Sequence, residues 1–274
     1  MMAWTPIARK DHLEMRDSRL VRWLVYLFVV VCLLGGYVFP VVTGGAVTTD
    51  RFAGFMTESI GLLLPLLGIL FGYNAIVGER ESGRLTLVLS MPHDRADVVL
   101  GKVAGRGGYL VVAVVAGLVG AAALVVYPFG SLSVGPYLVF LLLTLGFAGI
   151  YFGIGLAIST WTRSKQRATI VAFGVFFLFV VVWDAVREIV AFGLEQLGVA
   201  NGDLPNPVLF LHGAEPGLLY DRLVTAFVAG GEGGPYLEPT APWYLGEWVG
   251  LVLFCSWLVV PIAAGYRRFA RTDL

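Results

Sequence analysis

Residues 78–102 have the sequence GERESGRLTLVLSMPHDRADVVLGK, a charged and amphipathic stretch between two long apolar segments. These segments, 59–78 and 107–127, contain no charged residue, and each is long enough to cross a bilayer as a helix. A connector that only reversed the direction of the chain would need a few polar residues. Apolar side chains spaced among the charges of 78–102 would be unfavourable in water, so this stretch is predicted to contact a partner or the membrane surface.

The composition of the whole chain is that of an integral membrane protein. Hydrophobic residues make up 58% of the 274 residues, charged residues make up 14%, and the mean hydropathy is +0.81. A soluble domain of this size carries roughly a quarter charged residues. The net charge of zero argues against nucleic acid as a partner, because no basic excess is available to neutralise phosphates.

Charge-free windows on both sides of the connector complete the set of membrane-spanning segments. The window 107–162 is too long for one crossing, and prolines and glycines between 128 and 136 divide it into a hairpin of two helices. The long apolar runs lack the alternation of barrel strands. We therefore predict an all-α polytopic membrane protein with one transmembrane domain over residues 1–274. Its six helices are expected at about 23–42, 59–78, 107–127, 135–160, 168–188 and 248–266.

The distribution of Lys and Arg predicts the orientation of these helices. Sixteen of the 19 basic residues lie in alternate segments, which are the two termini, the connector between the second and third helices, and the loop after the fourth. Cytoplasmic segments carry the positive excess. Both termini and the connector are therefore predicted to be cytoplasmic, in a multi-pass protein of the cell membrane. The segment 191–246 is then external, and its apolar patches are expected to form short helices that dip into the interface as a lid or docking element.

Two of the predicted cytoplasmic segments have amphipathic helical patterns. Residues 4–20 mix apolar residues with charges of both signs, which is typical of a helix lying at the membrane interface. The charged positions assigned to this helix are Arg9, Lys10, Asp11, Arg16 and Arg19. In the connector, apolar residues recur at about helical spacing until Pro92 ends the run, and Asp94 resembles the N-cap of a further helix. The recurring positions are Leu85, Val88, Leu89 and Met91.

Features within the predicted helices indicate packing and local charge pairing. Asp184, Arg187 and Glu188 have helical spacing near the external end of the fifth helix, which favours an ion pair, with a proton or substrate contact as the alternative. Pairs of glycines four residues apart are suited to close helix packing. These pairs are Gly68/Gly72, Gly149/Gly153 and Gly246/Gly250.

The sequence contains no recognisable motif for catalysis, nucleotide binding or metal binding. Gly101-Lys102 is followed by Val103, where a phosphate-binding loop has Ser or Thr, and the upstream glycine spacing also differs. The histidines are divided between predicted cytoplasmic and external segments, and no His-Glu-x-x-His occurs. We therefore predict no catalytic residue, no resident metal and no cofactor for this chain.

The connector and the N-terminal segment resemble the ABC-2 type permease family, and most closely its NosY-like branch. The family pattern E-x-G-x-L-x-L-L-L-x-x-P-x-x-R…G-K is similar to Gly78–Leu89 followed by Pro92, Arg95 and Gly101-Lys102. The segment from Ile7 to Leu20 resembles the N-terminal interfacial helix of the family. Six helices of the predicted spacing and orientation complete the resemblance.

This resemblance implies that the connector forms a coupling helix, which would dock into a cleft on a separate cytoplasmic ABC ATPase. ATP and magnesium would bind to that ATPase. Two permease copies, identical or homologous, would line the pathway and be surrounded by membrane lipids. The residues assigned to ATPase coupling are Glu79, Arg80, Glu81, Gly83, Arg84, Leu85, Val88, Leu89, Met91, Pro92 and Arg95.

The leading prediction is a permease subunit without catalysis of its own, which moves substrate outward at the expense of ATP hydrolysed by the partner. An intramembrane enzyme would need paired catalytic residues at bilayer depth, and the charge-free windows contain no carboxylate or histidine. A stand-alone secondary transporter would need helix breaks in corresponding halves, and Pro65 has no counterpart. Because the predicted pathway has no charged lining, lipid-like or amphipathic cargo is expected in preference to small ions.

Overall fold

A computed structural model describes residues 4–43, 47–90, 94–129, 132–198, 204–230, 236 and 241–271. Within these ranges, six helical stretches are long and apolar enough to cross a membrane, and no β-strand is present. The predicted all-α fold with six membrane-spanning helices is therefore confirmed. The six stretches are Arg19–Val42, Thr49–Glu81, Arg95–Tyr127, Val134–Trp161, Lys165–Gln196 and Glu247–Ala270.

All six stretches extend beyond the predicted windows, because the residues at the window ends, several of them charged, remain helical. The extension is largest in the second, which begins at Thr49, and in the third, which begins at Arg95. In chain order the helices are α1 Thr5–Asp17, α2 Arg19–Thr43, α3 Thr49–Gly72, α4 Val77–Glu81, α5 Arg84–Leu89, α6 Arg95–Lys102, α7 Gly108–Phe129, α8 Val134–Trp161, α9 Lys165–Phe176, α10 Trp183–Gln196, α11 Asn206–His212, α12 Pro216–Phe227 and α13 Glu247–Ala270. Two π-helical turns, Val103–Gly107 and Phe177–Val182, join α6 to α7 and α9 to α10.

The bundle has two chemically different ends. The connector end holds α1, the short helices α4 to α6 and the C-terminal part of α13. The opposite end holds the hairpin of α11 and α12 together with the N-terminal parts of α3 and α13, and we call it the hairpin end. Between the two ends, α3 and α8 form the most buried part of the bundle.

Glycines permit close contact between α3 and α8. A Cβ atom added to Gly72 would lie 2.5 Å from the amide nitrogen of Leu156 and 2.5 Å from the carbonyl oxygen of Phe152. A Cβ on Gly68 would lie 2.8 Å from the amide nitrogen of Phe152. Because these contacts are with backbone atoms, which cannot rotate away, the predicted packing role of Gly68 and Gly72 is confirmed.

The other predicted glycine pairs differ in their surroundings. A Cβ on Gly149 or Gly153 of α8 would meet side chains of α13, at 2.8 Å for Gly149 and 3.0 Å for Gly153. Side chains can adjust more readily than backbone, so this contact is less restrictive. Gly246 is the N-cap of α13, and a Cβ on Gly250 would have no neighbour closer than 3.7 Å. This last pair therefore does not mark a close helix crossing.

The second membrane-spanning stretch is interrupted between α3 and α4, and one side chain of α8 satisfies the freed backbone groups. The amides of Ile76 and Val77 both donate to the Ser159 hydroxyl oxygen, at 2.8 and 3.0 Å. Ser159 is fully buried. Pro65, by contrast, lies within α3 without ending it. The interruption lies after Gly72, where α3 ends, and α4 begins at Val77.

Replacing Ser159 with alanine is expected to lower the free energy of unfolding by about 2 kcal/mol, because two buried amides lose their acceptor. SDS titration of the purified chain in mixed micelles measures this change. Ser256→Ala is the matched control, since the Ser256 hydroxyl only donates to the carbonyl of Leu253 within its own helix. Equal unfolding midpoints for the two variants would contradict the role given to Ser159.

Helices α11 and α12 form a hairpin whose turn lies deep in the bundle. The Glu215 carboxylate caps α12 by accepting from the amide of Leu218 at 2.7 Å, and it accepts from the Tyr151 hydroxyl at 3.0 Å. The Trp257 indole donates to the carbonyl of Ala214 at 2.8 Å. With a helical rise of about 1.5 Å per residue, Tyr151 lies roughly 25 Å from the start of α8. The hairpin therefore reaches further inward than the interfacial position expected from the sequence.

Candidate functional site

The N-terminal helix α1 lies directly against the connector. Ile7, Asp11 and Met15 lie on its buried face, whereas Arg9 and Arg16 are exposed. The glycines of the third membrane-spanning stretch allow this contact, because a Cβ on Gly101 would meet Ile7 at 2.6 Å and a Cβ on Gly105 would meet the backbone of Ala8. Arg19, assigned to this helix from the sequence, instead begins α2, because Ser18 has an extended backbone that separates the two helices.

A buried ion cluster joins α1, α4 and α6. The Lys102 ammonium lies 3.0 Å from the Asp11 carboxylate and 2.9 Å from the Glu79 carboxylate, and both Lys102 and Asp11 are fully buried. Lys10 contacts the same Glu79 oxygen at 2.7 Å. The Arg106 guanidinium lies 3.2 Å from Asp11. We call Lys10, Asp11, Glu79, Lys102 and Arg106 the ion cluster.

The acidic side chains at the ion cluster are paired with basic side chains. The carboxylate oxygens of Asp11, Glu14 and Glu79 lie within 4.8 Å of one another, a spacing that could hold a cation. Lys10, Lys102 and Arg106 already neutralise them. Desolvation disfavours charge on Lys10, but its hydrogen bond to Glu79 and the nearby carboxylates outweigh this effect and raise the pKa of Lys10. Together with Glu14, which lies 3.5 Å from Lys10, the ion cluster therefore has three basic and three acidic side chains.

The predicted coupling residues fall into two groups. Those of the first group hold the connector to the bundle: Glu79 and Leu85 are buried, and Val88 and Leu89 pack against the core. Arg80 donates to the carbonyl of Thr162 at 2.9 Å, and Arg95 donates to the carbonyl of Phe269. Met91 and Pro92 lie outside the described residues.

The second group forms an exposed surface on α4 and α5. Glu81 and Arg84 are exposed, and Gly83 between them has a φ of 71°, which makes the tight turn that joins the two helices. Leu87, which was not assigned from the sequence, is the most exposed apolar side chain here, at 67% exposure. We call Glu81, Gly83, Arg84 and Leu87 the coupling surface. Helical periodicity could have identified Leu87 from the sequence, because residues two positions apart lie on opposite sides of a helix and Leu85 lies on the buried side.

Comparison with known proteins is consistent with this arrangement. The family model described as "ABC-2 family transporter protein" matches residues 6–274. The chain belongs to the ABC-2 transporter family. It is 31% identical over 193 residues to a probable ABC transporter permease protein NosY of Pseudomonas aeruginosa, covering 67% of this chain and 68% of the relative. It is also 31% identical over 198 residues to the corresponding protein of Stutzerimonas stutzeri, covering 66% of this chain and 67% of that one.

These matches confirm the resemblance to ABC-2 permeases and to the NosY-like branch. The matched region includes α1 from Pro6 onward, the ion cluster, the coupling surface and all six membrane-spanning stretches. This ABC-2 chain is therefore a membrane subunit of an ABC transporter.

Proposed function

We propose that this chain is a permease subunit that moves its substrate outward, driven by ATP hydrolysis on a separate cytoplasmic ATPase. The observation that carries the proposal is the coupling surface, an exposed and partly apolar patch on a connector whose other face is fixed to the bundle. Apolar side chains such as Leu87 favour a protein partner over water. The names of the two relatives also describe permeases of ABC transporters.

The distribution of basic residues supports a cytoplasmic position for the connector end. Both chain termini and the coupling surface would then face the compartment that contains ATP. ATP and magnesium would bind to the ATPase, because Gly101-Lys102 lacks the rest of a phosphate-binding loop and Lys102 is engaged in the ion cluster. The permease would contribute no catalytic group.

The contacts of the connector suggest how force would pass from the ATPase to the bundle. A push on α4 and α5 would act on Glu79 and Leu85, which are buried. The Glu79 carboxylate would transmit that displacement to α6 through Lys102 and to α1 through Lys10. The coupling surface and the ion cluster would therefore move as one unit against α3 and α8.

A second permease copy would complete the transport pathway. The stretch Lys165–Gln196 is the least buried of the six membrane-spanning stretches. Arg187 forms an ion pair with the adjacent Glu188 at 2.9 Å, and both side chains are exposed. The pair with Asp184 that the helical spacing favoured is not among the ion pairs of the described residues. Charged groups are unfavourable in lipid, so we place this helix partly against the second copy, identical or homologous, with lipid covering the remainder.

Leu87→Glu is expected to reduce ATP-dependent transport by at least about tenfold, since a charge would be placed in an apolar contact with the ATPase. Glu79 is unsuitable for this test because its reversal would disrupt the ion cluster. The measurement is recovery of the ATPase that co-purifies with the tagged full chain from its own membranes, together with transport by the recovered complex. Leu197→Glu is the matched control, an equally exposed leucine at 76% exposure in the segment that follows α10.

Two results would count against the proposal. Absence of any co-purifying ATPase from the unmodified chain would overturn the function itself. Equal ATPase recovery and transport for Leu87→Glu and Leu197→Glu would overturn the assignment of the coupling surface.

A further inference from the structure

A cavity of about 500 Å³ lies at the hairpin end. It is bounded by α3, α8, α12 and the region where the π-helical turn Phe177–Val182 continues into α10. Its floor is formed by Tyr151 and Glu215, which are joined by the hydrogen bond described above. Its volume lies within the range of small-molecule binding sites, which run from roughly 300 to 1,000 Å³.

The charged residues that line this cavity are all acidic, in the part of the chain that the structure describes. Three of them, Glu58, Asp184 and Asp221, are exposed, and Glu215 is buried at 4% exposure. The oxygens of Glu215 accept from a phenol hydroxyl and from a backbone amide, which are both uncharged donors. No ion pair to any of these four carboxylates is found among the described residues.

The basic residues of α10 and α12 are engaged elsewhere. Arg187 of α10 pairs with Glu188 at 2.9 Å. Arg222 of α12 donates to the carbonyl oxygens of Gly213 and Leu245. The cavity is therefore a region of negative potential without a counter-ion from α10 or α12.

Aromatic side chains also line the cavity. Tyr151 and Tyr220 are almost fully buried, at 0% and 1% exposure, so only a small part of each ring borders the cavity. Phe179 and Trp183 line another side, where their rings make an edge contact with centroids 5.6 Å apart. Aromatic faces attract organic cations and also provide apolar contact. This combination differs from the uncharged pathway expected from the sequence, because the carboxylates come from the hairpin and from the ends of the apolar windows.

We propose that this cavity binds amphipathic organic cations, and that such compounds are the cargo class of the permease. The inference rests on the proposed transport function. The carboxylates are spread over three elements, and the only group of three acidic ligand atoms within 4.8 Å among the described residues lies at the other end of the bundle. Spread charge and aromatic walls suit a delocalised cation better than a metal ion, which requires converging ligands.

The test is equilibrium dialysis of radiolabelled tetraphenylphosphonium against the purified full chain in detergent. Asp184→Asn combined with Asp221→Asn is expected to weaken binding about tenfold, because two of the attracting charges are removed from the mouth of the cavity. Both residues are exposed, so this variant is expected to fold. Glu215→Gln, which removes the carboxylate at the floor of the cavity, is expected to weaken binding to a similar degree. Glu195→Gln, which removes an exposed carboxylate elsewhere on α10, should leave the affinity unchanged.

Three outcomes would overturn the proposal. The first is unchanged tetraphenylphosphonium affinity in the double variant. The second is equally tight competition by uncharged triphenylphosphine oxide, which would show that charge is irrelevant. The third is displacement of the probe by micromolar Mn²⁺, which would indicate a metal site. Because binding is measured without an ATPase, failure to find an ATPase partner would overturn the proposed function but would not affect this result.

Discussion

Replacing Lys102 with methionine is expected to lower the free energy of unfolding by about 3–5 kcal/mol, the largest effect predicted here. The substitution removes one ammonium from between two carboxylates and fills its space with an uncharged chain of similar length. Asp11, which is fully buried, would keep only Arg106, and Glu79 would keep only Lys10. Asp11 cannot reach water without opening the contact between α1 and the connector, whereas Glu79 is 6% exposed and borders a surface pocket. SDS titration of the purified chain in mixed micelles measures the change.

Lys165→Met is the matched control, since Lys165 is an exposed lysine at the same end of the bundle. Its substitution is expected to change the unfolding midpoint little. The double variant Asp11→Asn, Lys102→Met should be destabilised by less than the sum of the two single variants, because removal of both charges leaves fewer unpaired groups. If Lys102→Met and Lys165→Met unfolded at the same SDS fraction, the ion cluster would not be a stabilising contact.

Replacing Gly72 with leucine is expected to cost about 3 kcal/mol, because the new side chain would overlap backbone atoms that cannot move independently. Its Cβ alone would come within 2.5 Å of the backbone of α8 at two atoms. Accommodation requires α3 and α8 to separate, which would open the most buried contact of the bundle. The same SDS titration measures the loss.

Gly61→Leu provides the control on the same helix. A Cβ at Gly61 has no neighbour within 4 Å, so the added side chain enters open space and is expected to alter stability by less than 1 kcal/mol. Similar destabilisation by the two substitutions would mean that leucine is unfavourable throughout α3. In that case the close approach at Gly72 would not be a determinant of stability.

The number of membrane-spanning helices and the close glycine contacts were predictable from the sequence because both follow from local rules. A bilayer excludes charge, so uncharged windows mark the spans. Gly68 and Gly72 lie four residues apart on one helical face, a spacing that suits close packing, although the same spacing at Gly246 and Gly250 does not mark a close crossing. The helix ends were less predictable, because hydrogen bonding continues past the charged residues that end each apolar window.

The contacts of the connector were not predictable from the sequence, since the ion cluster is formed by residues far apart along the chain. Glu79 and Lys10 are 69 positions apart, and no local pattern shows that one neutralises the other. The sequence assigned Glu79, Leu85 and Arg84 alike to ATPase docking. In the folded chain Glu79 and Leu85 are buried, whereas Arg84 is exposed. The depth of the α11–α12 hairpin was not predictable for a related reason. Glu215 and its polar neighbours have the composition of an external loop, and the buried partner of Glu215, Tyr151, is 64 positions away in the sequence.

The ion cluster also constrains the order in which the nascent chain can be assembled. Asp11 is synthesised 91 positions before Lys102, so its partner does not exist when the first helix leaves the ribosome. At about 5–20 residues per second, α1 waits roughly 5–18 s for the third membrane-spanning stretch. During that interval the Asp11 carboxylate remains hydrated. Helix α1 can form its contact with Lys102 only after α6 has been synthesised. The N-terminal helix is therefore among the first elements synthesised but not among the first to reach its final position.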